Sequence, residues 1–274
     1  AGSAGLAAAA KSSREVSGSA SVPAAPKPQG PYSKNKAFAR CPRGRSAGPA
    51  GFSASFHPDA PRKAQVVPSA LARKHGAWTV TGVNGGPRKG RITAIAYCSR
   101  RPKPPITATD SRQVSTGSSA TATATCPRGT KVLLGGARVK FSRHGSPRVV
   151  ISRERLLAPR VWRIRGYTFG KRTHAKVQTG RLTALAYCGS SPRLSTAVGE
   201  VKVAGGSHST AKARCPSGTA VRFGGFRTAF DRSNFDPALV VSALRSPAKQ
   251  VWTAKAFNLG PRQAGRMRAY AYCG

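Results

Sequence analysis

Two sets of side chains carry most of the chemical potential of this 274-residue chain: six cysteines and a very large excess of arginine and lysine. The cysteines are Cys41, Cys98, Cys126, Cys188, Cys215 and Cys273. None forms a CxxC pair, and no histidine stands at a metal-ligand spacing from any of them, so their pattern does not point to zinc. Their even number points to disulfides, and disulfides persist in oxidising compartments. Catalytic groups are sparse. Glycoside chemistry needs two facing carboxylates, and Asp231 and Asp236 are the one near pair, inside the loop-like "DRSNFD". Glu154, within "SRERL", reads as a local ion-pair partner for its arginines. Ser69, Ser152 and Ser242 recur in register, but His57, His75, His144, His174 and His208 do not recur with them. A Ser-His-acid triad is therefore not indicated, and no phosphate-cradling glycine motif opens a helix. The expectation is a non-enzymatic protein without a cofactor, with a hydrolase as the least favoured reading.

The basic residues suggest a different chemistry. Lys and Arg number 47 against 7 Asp and Glu, a net charge of +40. Ordinary surfaces intersperse both signs, whereas a body this basic attracts anions. Three hairpins ahead of the closing strands concentrate cations: Arg88, Lys89 and Arg91; Lys171, Arg172, Lys176 and Arg181; and Arg262, Arg266 and Arg268. These are the candidate polyanion-binding residues, and the second group is the longest such insertion. No base-reading motif accompanies them. The expected partners are acidic glycans, cell-wall polyphosphates or nucleic acid bound without sequence preference, or an acidic protein within an assembly. No apolar run reaches the roughly 18 residues of a membrane-spanning helix.

The elements that must position these groups come in three copies. "ARCPRG" (Ala39–Gly44), "ATCPRG" (Ala124–Gly129) and "ARCPSG" (Ala213–Gly218) align on a cysteine. In the second and third copies Gly135-Gly136 and Gly224-Gly225 follow at one offset, with Ala50-Gly51 in the first. Phe56, Phe141 and Phe230 align, as do "VVPS", "VVIS" and "LVVS", and then Trp78, Trp162 and Trp252. Each copy closes on Ala-Tyr-Cys. Recurrence in register of half the cysteines and every tryptophan defines an internal repeat.

The modules alternate with a period of two, the mark of β-strands. In "ATATATC", Ala122, Ala124 and Cys126 share one face; in "RLTALAYC", Leu182, Ala184, Ala186 and Cys188 do so. Both cysteines of a module thus face inward on the strands that bracket it. The pairing predicted is Cys41–Cys98, Cys126–Cys188 and Cys215–Cys273, each loop contributing about 4 kcal/mol in the chain-entropy picture. The Tyr residues at 97, 187 and 272 point away from the cysteine face, toward solvent or toward a neighbouring sheet. The tryptophans read as core anchors, with a stacking platform as the alternative. The organisation expected is an irregular N-terminal arm (1–35), an atypical first β-module (36–105), a second (106–190) and a third (191–274), each of four or five antiparallel strands. "SRRPKPP" (Ser99–Pro105) reads as an extended linker. "AGSAGLAAAA" before Lys11 reads either as the remnant of a signal peptide or as a flexible docking tether.

The phrase CPxG…GG…VVxS…W…AYC, spanning Lys36 to Cys273, resembles repeated β-modules of secreted bacterial proteins of uncharacterised function. The resemblance implies an extracellular location and a modular all-β architecture. Three antiparallel sheets in threefold array are similar in plan to β-prism proteins, the vitelline-membrane outer layer protein I family and jacalin-like lectins among them. That similarity implies carbohydrate or matrix binding, though no lectin signature residues stand here to carry it. Together these features predict a secreted or cell-surface, disulfide-stapled structural protein that binds anionic polymers, with a lectin-like carbohydrate binder as the alternative.

Overall fold

The structure, a computed structural model, describes residues 14–25, 33–56, 65–74, 76–99, 106–115, 117–141, 149–168, 179–190, 193–229, 239–260 and 263–274. The alternating segments form strands and no helix appears among the described residues. The first copy supplies β1 (Arg14–Val22), β2 (Ser33–Arg40), β3 (Ser46–Ala54), β4 (Val66–Lys74), β5 (Ala77–Asn84) and β6 (Gly90–Ser99). The second supplies β7 (Ile106–Ser115), β8 (Ser119–Thr125), β9 (Lys131–Phe141), β10 (Val149–Ala158), β11 (Val161–Thr168) and β12 (Thr179–Gly189). The third supplies β13 (Ser195–Val203), β14 (His208–Arg214), β15 (Val221–Ala229), β16 (Leu239–Ala248), β17 (Val251–Asn258) and β18 (Gly265–Cys273).

These strands build three six-stranded antiparallel sheets around one core. Sheet I has the order β1-β6-β3-β16-β17-β14, sheet II β13-β18-β15-β10-β11-β8, and sheet III β2-β5-β4-β9-β12-β7. Every copy therefore gives three strands to one sheet and three to the next, and no sheet belongs to one copy. The consecutive edge strands β1 and β2, β7 and β8, and β13 and β14 belong to different sheets and lie side by side at the corners. The result is a closed three-walled prism with pseudo-threefold symmetry. The edges that an open sheet would expose meet at its corners.

The recurring sequence motifs are the joints of this prism. Trp78, Trp162 and Trp252 are 2, 1 and 0 % exposed and fill the core. The indole N–H groups of Trp78 and Trp252 donate to the carbonyls of Gly51 and Gly225 at 3.1 and 3.2 Å. In the Gly-Gly pairs the first glycine makes room for the ring: a Cβ at Gly135 or Gly224 would collide with Trp162 or Trp252. The second makes room for the neighbouring copy. A Cβ at Gly51, Gly136 or Gly225 would strike the backbone carbonyl of Leu244, Leu71 or Glu154. At this crossing the copies share only two register pairs per sheet, such as Arg153↔Arg227 and Glu154↔Phe226.

The tyrosines of Ala-Tyr-Cys bolt the same joints. Tyr97, Tyr187 and Tyr272 are buried, and their hydroxyls accept hydrogen bonds from the backbone N–H of Ser246, Arg73 and Leu156 at 2.8, 2.5 and 2.7 Å. Each reaches into the preceding copy, cyclically. The rings go neither to solvent nor, by these bonds, to a neighbouring sheet: each hydroxyl meets a strand of its own sheet that another copy contributes. The disulfides are Cys41–Cys98, Cys126–Cys188 and Cys215–Cys273, with Cα separations of 5.6, 5.6 and 5.7 Å. Each is the within-copy pairing predicted, joining the residue just after the second strand of a copy to its last strand.

The structure departs from the sequence reading in two places. Arg14–Val22, expected to lie in an irregular arm, is β1, paired along its length with β6. Its Ser, Gly and Ala residues supply little hydrophobic contrast, and Gly18 sits where the Phe38 carbonyl approaches the corner. Each copy accordingly has six strands, not four or five. Pro68 is tolerated within β4 because it stands at the register shift between Pro68 and Ala70, where a ladder donor is dispensable. The linker residues 100–105 lie outside the described residues.

Candidate anion-binding face

In sheet II the alternation that sends Trp162, Ile164 and Phe226 into the core sends Arg163, Arg165 and Arg227 outward. Cross-strand register then aligns side chains that are distant in sequence. Across the sheet, Thr121, Arg165, Arg153, Arg227, Arg268 and Glu200 form one continuous row. Four consecutive strands contribute arginine, and neighbouring strands are about 4.8 Å apart. A shorter parallel row joins Thr123, Arg163 and Arg155. Arg155 lies 5.8 Å from the centroid of the Tyr270 ring.

The pseudo-threefold repeat supplies an internal comparison. The equivalent row of sheet III is Lys36, Thr81, Ala70, Arg138, Thr183 and Ser111. That of sheet I is Thr210, Lys255, Ala243, Ser53, Thr93 and Ser19. These rows carry two cations and one. The scaffold works with Ser, Thr and Ala at these positions, so the arginines of sheet II answer no demand of the fold.

They also carry an electrostatic cost. Like charges directly opposite one another in a sheet are destabilising. The Arg153 guanidinium is pushed down to about 10 by burial and by the charges of Arg227, Arg155 and Arg165. The Nε atoms of Arg153, Arg155, Arg163 and Arg227 are buried without a hydrogen-bond partner. Arg165 donates to Ser119 Oγ at 3.0 Å. The acid of this face is Glu200 at the end of the long row. It pairs with Arg268 and lies 3.6 Å from Arg266, and it raises the Arg268 pKa. The inner arginines have no carboxylate partner among the described residues.

Beneath this face lies an acid that does not serve it. Glu154 is 4 % exposed and occupies the position held by Leu71 and Leu244 in the other copies. It was expected to pair with its flanking arginines. Strand alternation places Arg153 and Arg155 outside and Glu154 inside, with Ile164 and Phe226 as register neighbours. Its Oε2 has no hydrogen-bond partner, and desolvation pushes its pKa up to about 8. Burial thus favours the protonated form of Glu154 at neutral pH.

Of the basic residues singled out from the sequence, Arg88, Lys89, Arg91, Arg181, Arg266 and Arg268 are exposed. Only Arg266 and Arg268 are brought together, around Glu200. Lys171, Arg172, Lys176 and Arg262 lie outside the described residues. Arg153, Arg155, Arg163, Arg165 and Arg227 were not proposed as a site. A column-wise reading of the copies would have found two of them: the positions one and three after each tryptophan are Thr79 and Thr81, Arg163 and Arg165, and Thr253 and Lys255. The repeated serines have a structural task. Ser69, Ser152 and Ser242 sit at register shifts and donate to the carbonyls of Thr81, Arg165 and Lys255. No group of three or more His, Cys, Asp and Glu could hold a metal among the described residues. No described helix is long and apolar enough to cross a membrane. No family model matches the chain, and neither does any curated protein.

Proposed function

We propose that this protein is a secreted or surface-associated, non-enzymatic structural protein that binds anionic polymers by charge. The observation that carries the reading is the imbalance on a rigid body. If every one of the 7 acids neutralised a cation, 40 of the 47 would remain. Ion pairs between described residues engage only Arg112, Arg266 and Arg268, and burial holds Glu154 toward its neutral form. Among the described residues, basic side chains such as Lys36, Arg91, Arg138 and Arg181 stand exposed on the walls of a prism whose core is already full. Three disulfides suit an oxidising compartment, which supports the extracellular placement. Charge of this kind acts through counterion release, so binding has a signature independent of the polymer's identity.

The test is a salt titration. Anisotropy of a labelled duplex DNA and of a labelled heparin fragment is followed with the intact, oxidised protein. The logarithm of affinity should fall linearly with the logarithm of salt concentration, by about 0.9 per DNA phosphate neutralised. No binding at low salt, or tight binding insensitive to salt, contradicts the proposal.

A further inference from the structure

The outer face of sheet II has the properties of a constructed site and not of a sample of the general charge. Its arginines are aligned by register and partly desolvated, and the run of four is broken in the sister sheets, where the equivalent rows keep only Lys36 and Arg138 in one and Lys255 in the other. Two of them, Arg153 and Arg227, face each other across the joint between the second and third copies. An uncompensated like-charge pair there weakens the joint unless a ligand bridges it.

We propose that an extended chain of tetrahedral oxyanion esters, phosphate or sulfate, lies across strands β11, β10 and β15 along Arg165, Arg153 and Arg227, with Arg163 and Arg155 gripping it from the second row and Glu200 closing the row at Arg268. This rests on the polyanion reading and sharpens it. Guanidinium groups present a planar fork of donors that matches such oxygens. A carboxylate holds both oxygens in one plane and is satisfied by one fork. A tetrahedral ester directs its oxygens apart and can bridge guanidiniums on adjacent strands, about 4.8 Å from each other, which removes the repulsion between them. The aromatic ring of this face, Tyr270, is buried beneath Arg155, so the chain is read through its oxyanions and not by stacking of bases. At the far end Glu200 pairs with Arg266 and Arg268, offsets one of their two charges, and repels further anionic groups. It sets how many the row accepts.

The sister sheets supply variants that the fold already accommodates. Arg165→Thr, Arg153→Ala and Arg227→Ser together install the residues found at Thr81, Ala70 and Ser53. A control of equal charge, Lys34→Ser, Lys36→Ser and Arg40→Ser, alters exposed positions of β2 in sheet III. Probes are a duplex DNA, a heparin fragment and polyglutamate of matched charge. The sheet II variant should lose roughly tenfold or more in affinity for the preferred probe, and its salt slope for DNA should fall by roughly two to three. The β2 control should change far less, and Glu200→Gln should tighten binding and steepen the slope. The stronger of the DNA and heparin arms identifies the ester as phosphate or sulfate. Equal losses in the two triple variants overturn the site while leaving charge-driven binding intact. Polyglutamate binding as tightly as both esters overturns the tetrahedral class. Failure of the wild-type protein to bind any probe overturns the underlying reading as well.

Discussion

Glu154 allows a sharp test of the core. Burial lifts its pKa from 4.5 to about 8. An acid whose folded pKa lies above its unfolded value binds more protons in the folded state. Its contribution to stability is therefore unpenalised below pH 4.5 and worsens as pH rises toward 8, where it levels off. Each pKa unit corresponds to about 1.4 kcal/mol, so the penalty is about 3 kcal/mol at pH 7, about 4 kcal/mol at pH 8 and about 5 kcal/mol at its plateau above that. The group is fully buried, so solvent screening does not reduce this figure. Ionisation would also act on the hydroxyls of Tyr187 and Tyr272, both of which sense its charge. Urea unfolding of the oxidised wild type, Glu154→Gln and Glu154→Leu, at intervals from pH 5 to 8.5, isolates the effect by difference and cancels the histidines. Relative to Glu154→Gln, the wild type should lose roughly 3–4 kcal/mol between pH 5 and 8. Glu154→Leu, which restores the residue type of Leu71 and Leu244, should be the most stable at pH 8. A wild-type minus Gln difference that stays flat with pH refutes the reasoning, because it requires a compensating charge beside the carboxyl.

Tyr272→Phe should cost about 1–3 kcal/mol, since it leaves the buried N–H of Leu156 without an acceptor. Tyr97→Phe and Tyr187→Phe should cost similar amounts by chemical denaturation, and a negligible effect at all three would deny that these hydroxyls lock the copies together. Gly225→Ala forces a methyl group against the Glu154 carbonyl. It should destabilise by about 1–3 kcal/mol or more through a displaced joint, visible as a lowered thermal midpoint. Replacing Cys126 and Cys188 by alanine together should cost about 4 kcal/mol, and peptide mapping without reductant should recover only within-copy bridges.

The cysteine pairing was legible because a period of two fixes the face of every residue in a strand. Once Cys126 shares a face with Ala124 and Ala122, and Cys188 with Ala186 and Ala184, both thiols must enter the core. The tryptophans were legible as core for the same reason. β1 was not, because Arg14–Val22 alternates serine with glycine and alanine and is organised by its partner strand β6. The Gly-Gly pairs recur visibly in the sequence, but the ring that the first glycine admits and the carbonyl from another copy that the second admits show only in the fold. The arginine row was hidden more deeply. Arg165, Arg153, Arg227 and Arg268 become neighbours only through two registers and one crossing between copies, and local periodicity says nothing of how copies interleave. The hairpin clusters drew notice because they are contiguous in sequence. The face that the fold assembles is contiguous only in space.

On the proposed reading, a basic prism concentrates its anion binding on one wall. Amide hydrogen exchange of the oxidised protein with and without saturating duplex DNA at low salt tests it directly, because the three sheets serve as controls for one another. Slowed exchange should concentrate in β10, β11, β15 and β18 of sheet II and disappear when salt releases the polymer. Equal protection of sheets I and III, or protection that leaves those four strands unchanged, would contradict the account.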